Sequence, residues 1–360
     1  MAIKPIDRYP GRVDPADADY PFGKARDVTS PGDGTGTPWQ QDIINDVLGM
    51  LQALLSEADV EPSGTPDTAQ ASQYLGAIRS ITDWQNDIKF IGYQIGSPFA
   101  LASGATLDTS TQFTGQGGVV FNADGTKLYA VAATNSAVYQ YTLSTPYDLS
   151  TATYDSVSLD VSGEASSPQD LIFNADGTKL YIINSAGGSS AVYQYTLSTP
   201  YDLSTATYDS VSLDVSGEMG FARCLVFNGD GSALFAGANG NTNVYEYTLS
   251  TPYDLSTATY DSAVNFSAET TNVQDVEFGD AGRVFLLCRF GSGSASHIYR
   301  YTLSTPYDLS TATYDGVSIS VGTAIPYVGF TMRPDGTKLY TLHDGANELR
   351  EHYTSRAVRI

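Results

Sequence analysis

A long internal repeat constrains the fold of this chain more than any other feature. The stretch AVYQYTLSTPYDLSTATYDSVSLDVSGE at 137–164 recurs letter for letter at 191–218, and YTLSTPYDLSTATYD recurs at 247–261 and 301–315. Between these copies lies a second phrase of the form FNADGTKLY. Its turn glycines are 52, 54, 51 and 54 residues apart: Gly125, Gly177, Gly231, Gly282 and Gly336. A fixed period of this size is typical of propellers and other repeat architectures.

Each repeat unit predicts four β-strands. In the second unit the strands are QDLIFN, KLYIIN, AVYQYTL and TYDSVSLDV, whose alternation and β-branched or aromatic side chains are typical of half-buried strands. Asn-Ala-Asp-Gly joins the first two strands as a tight hairpin, and TPYDLSTAT joins the last two as a longer loop. Four antiparallel strands in a unit of about 50 residues make a propeller blade.

The two ends of the repeat region predict how the propeller closes. Five units begin, but the last lacks a fourth strand, and the segment at 90–111 looks like a diverged half of the repeat. We expect this segment to complete the fifth blade, because that arrangement leaves no open sheet edge. FIGYQI and LREHYTS are both candidates for the third strand of that blade. The predicted fold is therefore mostly β, with a five-bladed β-propeller of four-stranded blades over 84–360.

The loops of such a propeller divide between two faces. The first–second and third–fourth loops share one face and are nearly the same in every unit, whereas the second–third loops, such as AATNS and GANGNTN, differ between units. We expect the repeated loops to be scaffold and the divergent loops to form a surface that is free to specialise.

Four tyrosines at equivalent loop positions are candidate ligand-binding residues. Each lies in a TPYDLSTAT loop and is followed by an aspartate: Tyr147, Tyr201, Tyr253 and Tyr307. An aromatic ring beside a carboxylate suits a sugar, which offers an apolar face and hydroxyl groups, and repeated sites would add by avidity. The same rings could instead pack the gap between blades. Both interpretations remain open from the sequence.

The N-terminal region predicts an extended arm followed by a small helical module. Residues 1–36 are rich in proline, glycine and aspartate and show no apolar periodicity. A helix is expected to start at Trp39, after a capping threonine and a proline, and a second Thr-Pro signal completes a two-helix module over 37–83. The apolar face of the first helix packs on its own module or forms a seam between subunits, and it carries Ile44, Val47, Leu51 and Leu54.

The string PFGKARDVTSPGDGTGTPWQQDIINDVLGMLQALLSEADVEPSGTPDTAQASQYLGAI resembles the N-terminal module of bacteriophage and prophage tail-fibre-like proteins. The likeness covers roughly residues 20–80 and lies in the Gly-Thr-Pro-Trp helix start, the QALLSEA helix end and the PSGTPD linker. The resemblance implies docking on other phage tail or neck proteins, with the rest of the chain projecting outward. Fibres of this kind are commonly trimers, so a homotrimer formed through the N-terminal module is expected.

The charge of the chain disfavours two classes of partner. Lys and Arg number 18 against 40 Asp and Glu, which gives a net charge of −22. Such a field repels phosphate backbones and anionic membrane surfaces, so we expect neither nucleic-acid binding nor membrane insertion. The N-terminus shows no apolar signal-peptide core, which predicts synthesis in the bacterial cytoplasm and a final location in the virion.

The sequence contains no motif for a metal, a cofactor or a catalytic centre. Cys224 and Cys288 stand among apolar residues, as buried thiols do. His297, His343 and His352 have no third group placed by spacing, and the Asp-Gly turns offer too few oxygens for calcium.

These observations predict a protein that is not an enzyme and needs no cofactor. The expected function is a phage virion protein, a tail-fibre-like or spike-like appendage that presents its propeller to host-surface glycans. The alternatives are a purely structural collar or tail-decoration protein and a polysaccharide depolymerase, whose carboxylate pair need not be local in sequence.

Overall fold

The chain divides into two compact units, 1–93 and 94–360. In the first unit, Val13–Asp14 (β1) pairs antiparallel with Lys24–Ala25 (β2). The computed structural model describes residues 13–14, 24–25, 99–100, 102–115, 117–186, 188–289, 295–323, 328–343 and 347–353. The predicted two-helix module and its apolar seam, with Trp39, Ile44, Val47, Leu51 and Leu54, lie outside these residues.

The second unit begins with two strands and continues with blades in sequence order. The opening strands are Phe99–Ala100 (β3) and Ala102–Asp108 (β4). Blade 1 consists of Val119–Phe121 (β5), Lys127–Ala132 (β6), Ala137–Leu143 (β7) and Ala152–Asp160 (β8). Blade 2 consists of Pro168–Phe173 (β9), Lys179–Ala186 (β10), Ser189–Leu197 (β11) and Ala206–Asp214 (β12). Blade 3 consists of Ala222–Phe227 (β13), Ala233–Ala238 (β14), Asn243–Leu249 (β15) and Ala258–Asn265 (β16).

Two further sheets complete the ring. Blade 4 consists of Asp275–Gly279 (β17), Val284–Arg289 (β18), Ala295–Leu303 (β19) and Ala312–Thr323 (β20). Blade 5 consists of Val328–Met332 (β21), Lys338–His343 (β22), Glu348–Tyr353 (β23) and the early strand β4. All neighbouring strands within these blades pair antiparallel, and β3 adds to β20 as a short parallel strand. The predicted five-bladed β-propeller of four-stranded blades is confirmed.

Closure of the propeller joins the beginning of the second unit to its end. Strand β4 pairs antiparallel with β23, with Leu107 opposite Leu349 and Asp108 opposite Glu348. The segment ELREHY supplies the third strand of blade 5, which settles the choice between the two candidates in favour of the C-terminal one. FIGYQI lies outside the described residues. The predicted closing strand is therefore present, and it covers what would otherwise be an exposed sheet edge.

The core lies between neighbouring blades, where aromatic rings from facing sheets meet. Tyr129 of blade 1 packs against Phe173 of blade 2 at 4.6 Å between ring centroids, and Tyr181 packs against Phe227 of blade 3 at 4.7 Å. The ring is completed by Tyr340 of blade 5, which packs against Phe121 of blade 1 at 4.6 Å. Edge-to-face pairs of this kind stabilise beyond their buried area.

Removal of strand β4 is expected to destabilise the propeller strongly. Deleting 102–108 exposes the edge of β23 and uncovers Leu349, which is 1% exposed, so the midpoint of thermal unfolding should fall by about 10 °C or more and the protein should associate through the free edge. Circular dichroism and light scattering measure both effects. Deletion of 1–30 is the control, and equal melting of the two truncated proteins would contradict closure by β4.

Candidate functional site

The four predicted tyrosines occupy one unusual backbone conformation. Each has a left-handed φ between 59° and 62°, and each ring covers the turn glycine of its own blade. A Cβ on Gly177, for example, would lie 2.3 Å from the ring of Tyr201. The rings also pack on first-strand phenylalanines at 5.1–5.2 Å: Tyr147 on Phe121, Tyr201 on Phe173, Tyr253 on Phe227 and Tyr307 on Phe278. Packing contacts therefore exist at all four positions, and sugar binding by them stays a prediction.

The backbone of these loops receives a hydrogen bond from the preceding blade. The hydroxyl of Tyr340 donates to the carbonyl oxygen of Tyr147 at 2.6 Å. The hydroxyls of Tyr129 and Tyr181 donate in the same way to the carbonyl oxygens of Tyr201 and Tyr253. In blade 3 the donor position holds a phenylalanine, which has no hydroxyl to offer to the Tyr307 loop: Phe235. The junction between blades 3 and 4 thus lacks the interblade bond that the other repeated loops have.

Within blade 1, and again within blade 2, a partly buried ion pair links the second strand to the fourth. In blade 2, Lys179 Nζ lies 2.9 Å from Asp209 Oδ2 and 2.9 Å from Thr196 Oγ1. Gln194 Nε2 donates to the same carboxylate at 2.8 Å. Blade 1 repeats the arrangement with Lys127, Asp155, Thr142 and Gln140. Burial raises the pKa of Asp209, but these hydrogen bonds and the lysine charge outweigh burial and lower it overall.

Blades 4 and 5 keep one cation and one carboxylate at this position by moving them between strands. In blade 4 the lysine is replaced by Val284, and Arg300, on the next strand, pairs with Asp315 instead. In blade 5 the aspartate position holds Gly104, and Glu351 pairs with Lys338 at 2.9 Å. The paired charge is therefore retained although the residues that carry it change.

In the described structure, blade 3 alone among the five blades has no cation paired with the carboxylate at this position. Ala233 replaces the lysine, Glu246 replaces the glutamine, and Asp261 keeps the carboxylate, so two acids face each other without a cation. Burial and the neighbouring Asp261 raise the pKa of Glu246. A cleft of about 500 Å³ occupies the space; its lining includes Glu246, Asp261, Thr248, Pro306, Tyr307 and Asp308. Asp261 is exposed, whereas its counterparts in blades 1 and 2 are half-buried.

The first strands surround the propeller axis and carry a second group of acids. One position repeats around the ring as Gly118, Asp170, Cys224, Asp275 and Gly329. Asp170 accepts hydrogen bonds from the amide of the following residue at 2.8 Å and from Leu225 N of blade 3 at 3.1 Å. Asp275 does the same, with Phe330 N of blade 5 at 2.6 Å. Each carboxylate therefore joins two blades through backbone amides.

These central carboxyl groups favour the protonated form. Burial raises the pKa of Asp170 to about 7, and burial together with Asp170 raises the pKa of Asp275 well above its ordinary value. Glu277, two residues further along, has its pKa raised to about 8, mainly by burial. Its Oε1 accepts a hydrogen bond from Met332 N at 3.3 Å, while Oε2 has no partner among the described residues.

A cavity of about 210 Å³ runs beside these acids and includes Glu277, Asp170, Asp275, Gly229 and Tyr307 in its lining. Tyr307 therefore borders both this cavity and the cleft of blade 3. A Cβ on Gly229 would lie 2.7 Å from the Tyr307 hydroxyl, so an alanine at this turn would require the Tyr307 ring to shift. No hydrogen bond holds the Tyr307 hydroxyl among the described residues. First-strand residues line most of the smaller cavity, whereas strand residues of blade 3 and the TPYD loop of blade 4 line the cleft.

The remaining candidates from the sequence are internal. Cys224 and Cys288 are buried free thiols, and burial raises the pKa of both. His343 and His352 each lie within 2.8 Å of the Thr341 hydroxyl, and burial lowers their pKa values to about 3 and about 4. Both histidines are therefore neutral at pH 7. Within the described ranges, no three His, Cys, Asp or Glu side chains are grouped to hold a metal ion.

Comparison with known proteins yields structural likeness only. No protein family and no curated protein matches the chain. A putative 6-phosphogluconolactonase from Bacteroides uniformis is 12% identical, with a TM-score of 0.44 over 72% of this chain and 85% of that one. A luciferin-regenerating enzyme is 12% identical, with a TM-score of 0.42 over 69% and 95%. The periplasmic gluconolactonase of Pseudomonas aeruginosa is 13% identical, with a TM-score of 0.41 over 67% of each chain.

These neighbours correct one prediction. The sequence predicts a protein that is not an enzyme, and the solved propellers similar in fold correct that prediction, since they carry enzyme names. Identities of 12–13% show the fold alone, so no activity passes from these proteins to this chain. Separately, the described residues include no helix long and apolar enough to span a membrane.

Two features of the site were missed in the sequence analysis. The exchange of lysine for Ala233 was visible when FNADGTKLY was set beside FNGDGSALF, but its meaning required knowing that Asp261 and Glu246 stand across from it. The acids of the first strands, Asp170 and Asp275, looked like ordinary strand residues. Only the arrangement of the blades shows that both point to a neighbouring blade.

Replacement of Asp170 by Asn is expected to flatten the dependence of stability on pH. The folded-state pKa of about 7 exceeds the ordinary 3.8, so the folded state holds its proton more tightly and stability is lost as pH rises from about 4 to about 7. Asp170→Asn removes up to one proton from this linkage, about 1.4 kcal/mol per pH unit. Urea unfolding at pH 4, 5, 6 and 7 measures the slope.

The control for this experiment is Asp160→Asn. Asp160 is exposed, and hydrogen bonds from Ser162 lower its pKa, so its linkage lies below pH 4 and the slope above that pH should not change. Equal slopes for the Asp170 variant and the unmodified protein would show that Asp170 titrates normally.

Proposed function

We propose that this chain is a carbohydrate-binding propeller carried by an N-terminal module that docks it on a phage virion. The observation that supports the binding proposal most directly is the cleft at the junction of blades 3 and 4. It combines the half-buried ring of Tyr307 with the acids Glu246, Asp261 and Asp308, and its volume of about 500 Å³ suits a small ligand.

The cleft has the chemistry that a sugar requires. An aromatic ring offers a flat apolar surface to the C–H face of a pyranose, and carboxylates accept hydrogen bonds from its hydroxyl groups. Tyr307 is the one member of the predicted tyrosine set that borders both described cavities. The proposal therefore narrows the four candidate positions to Tyr307, while Tyr147, Tyr201 and Tyr253 pack the junctions between their blades.

The virion context rests on the resemblance of residues 20–80 to tail-fibre-like proteins. In that setting the N-terminal module would bind other tail or neck proteins and assemble as a trimer. Three copies of the cleft would then face the host surface together, and weak single-site binding would gain by avidity. A host-surface polysaccharide is the partner that this arrangement favours.

Substitution of Tyr307 should abolish sugar binding while the same change in blade 2 should not. The full chain is first screened against an array of bacterial surface polysaccharides, and the strongest ligand is then measured by calorimetry. Tyr307→Asn removes the ring and tolerates the left-handed backbone, and we expect no measurable binding. Tyr307→Phe keeps the ring and should lose about fivefold, the worth of one hydrogen bond.

Tyr201→Asn is the matched control, because Tyr201 has the same backbone conformation and the same packing on a phenylalanine. Circular dichroism verifies that both variants fold. Absence of any glycan ligand, or equal loss of binding in the Tyr307 and Tyr201 variants, would contradict the proposal.

One observation supports a second candidate, a polysaccharide-cleaving enzyme. Glu277 lines the cavity of about 210 Å³, has one unpartnered oxygen, and has a pKa raised to about 8. A carboxyl group that stays protonated at neutral pH can act as a general acid toward a glycosidic oxygen. Asp170 and Asp275 are less suited, because both oxygens of each accept backbone hydrogen bonds.

If Glu277 is a general acid, the chain should release reducing ends from a polysaccharide that it binds. The rate should fall as pH rises through about 8, where Glu277 loses its proton, and Glu277→Gln should lower it by at least 100-fold. A colorimetric reducing-end assay measures both. Glu218→Gln, on the opposite face beside Tyr247, is the control; activity that persists in the Glu277 variant would exclude this role.

A further inference from the structure

We infer that the cleft of blade 3 recognises the free ammonium group of an amino sugar. The inference rests on the proposed sugar-binding function and names the class of sugar. It comes from the comparison of blade 3 with blades 1 and 2, here called its sister blades, in which the position of Ala233 holds a lysine. Blade 3 keeps the ligands of that cation and has lost the cation itself.

The sister blades show how an ammonium group is bound at this position. In blade 2, Lys179 Nζ contacts the carboxylate of Asp209 at 2.9 Å and the hydroxyl of Thr196 at 2.9 Å. In blade 1 the corresponding distances from Lys127 are 3.1 Å to Asp155 and 3.0 Å to Thr142. Two independent copies of the constellation therefore hold an ammonium in nearly the same geometry.

The equivalent ligands are all present in blade 3. Asp261 and Thr248 take the places of Asp209 and Thr196, and both line the cleft. Ala233 ends at Cβ, so the volume that a lysine side chain fills in blade 2 is open to a ligand. A ligand ammonium at the position of the lost Nζ would lie near one carboxylate and one hydroxyl, those of Asp261 and Thr248.

The charge of the cleft favours a cation over a neutral group. Glu246 adds a second carboxylate where the sister blades have a neutral glutamine, and Asp308 stands near it. Two carboxylates without a counter-ion repel each other, and an ammonium between them relieves that repulsion. An N-acetylated sugar carries no such charge and would leave both acids unpaired.

The walls of the cleft select a sugar among ammonium-bearing ligands. Tyr307 and Pro306 form an apolar side beside the acids, and the Tyr307 hydroxyl has no protein partner among the described residues. A flexible polyamine has no rigid face to place against the ring, whereas a pyranose has both a C–H face and hydroxyl groups. The expected ligand is therefore a polysaccharide with unacetylated amino sugars.

Three small probes test the inference on the full chain by calorimetry: the glucosamine tetramer, its fully N-acetylated counterpart, and spermidine. We expect one glucosamine tetramer to bind per chain, at least tenfold more tightly than either other probe. The affinity should fall with added salt, because an exposed ion pair is screened.

Two variants place the binding in blade 3. Ala233→Lys restores the internal ammonium of the sister blades and should abolish binding of the tetramer while raising the unfolding temperature. The variant Ala175→Gly, Lys179→Ala, Tyr181→Phe, Gln194→Glu gives blade 2 the residues that distinguish blade 3 and should raise the stoichiometry from one site to two. Gain of a site cannot result from misfolding, so this variant remains informative if the first is unstable.

The outcomes separate this inference from the proposed function. Equal affinity for the acetylated tetramer would overturn the ammonium assignment and leave sugar binding intact. Equal affinity for spermidine would overturn the assignment to a sugar. Binding of neither tetramer would overturn the inference, and the polysaccharide array then decides the proposed function independently. Binding that survives Ala233→Lys would place the site outside blade 3.

Discussion

The hydrogen bond from a second-strand tyrosine to the loop of the next blade is the interaction on which the regular part of this propeller depends. It fixes the carbonyl oxygens of Tyr147, Tyr201 and Tyr253 and so ties each of these loops to the preceding blade. A buried hydroxyl that lacked this acceptor would be costly, so tyrosine and loop constrain each other.

Carboxylates join the blades near the axis in a different way. Asp170 and Asp275 each accept a backbone amide from the following blade, and the intervening positions hold small residues. Burial keeps the pKa of both raised, so the axis is stable in its protonated form and loses stability as pH rises. Away from the axis, four of the described blades carry an ion pair. Near the axis, Asp170 joins blade 2 to blade 3, and Asp275 joins blade 4 to blade 5.

In the described part of the chain, blade 3 lacks both the tyrosine hydrogen bond to the next blade and the repeated ion pair, and both are lost at the same junction. Phe235 removes the hydroxyl that would bind the Tyr307 loop, and Ala233 removes the cation that would neutralise Asp261. Gly229 lies beside the Tyr307 hydroxyl at a turn position where blades 1 and 2 have alanine. These changes coincide at one junction and leave a cleft there, so the candidate site lies where the repeat differs from itself.

Much of the fold was predictable because the repeat carries strong local signals. The strand number, the blade count and the closing strand near 102–108 all followed from the period and from an unfinished last unit. The site was less predictable, because its acids lie on different strands and acquire meaning only through pairing. Blades 4 and 5 show the difficulty, since Arg300 and Glu351 preserve the ion pair by moving it to other strands.

The organisation of the N-terminal region stays a prediction. The arm over 1–36, the two-helix module over 37–83, the trimer and the virion partners remain predictions, because they fall outside the described residues or depend on assembly. The expectation of a non-enzyme did not survive comparison with propellers that carry enzyme names. Residues such as Glu277, with a raised pKa and a free oxygen, are where an activity would be sought first.

A crystal structure of the chain with the glucosamine tetramer tests the central claim most directly. The account predicts that superposing blade 3 on blade 2 brings the ligand nitrogen onto the position of Lys179 Nζ, within hydrogen-bonding distance of Asp261 and Thr248, with the sugar ring against Tyr307. A tetramer bound among the divergent loops, or one whose nitrogen points away from Asp261, would contradict the claim that the site lies where blade 3 has lost its lysine.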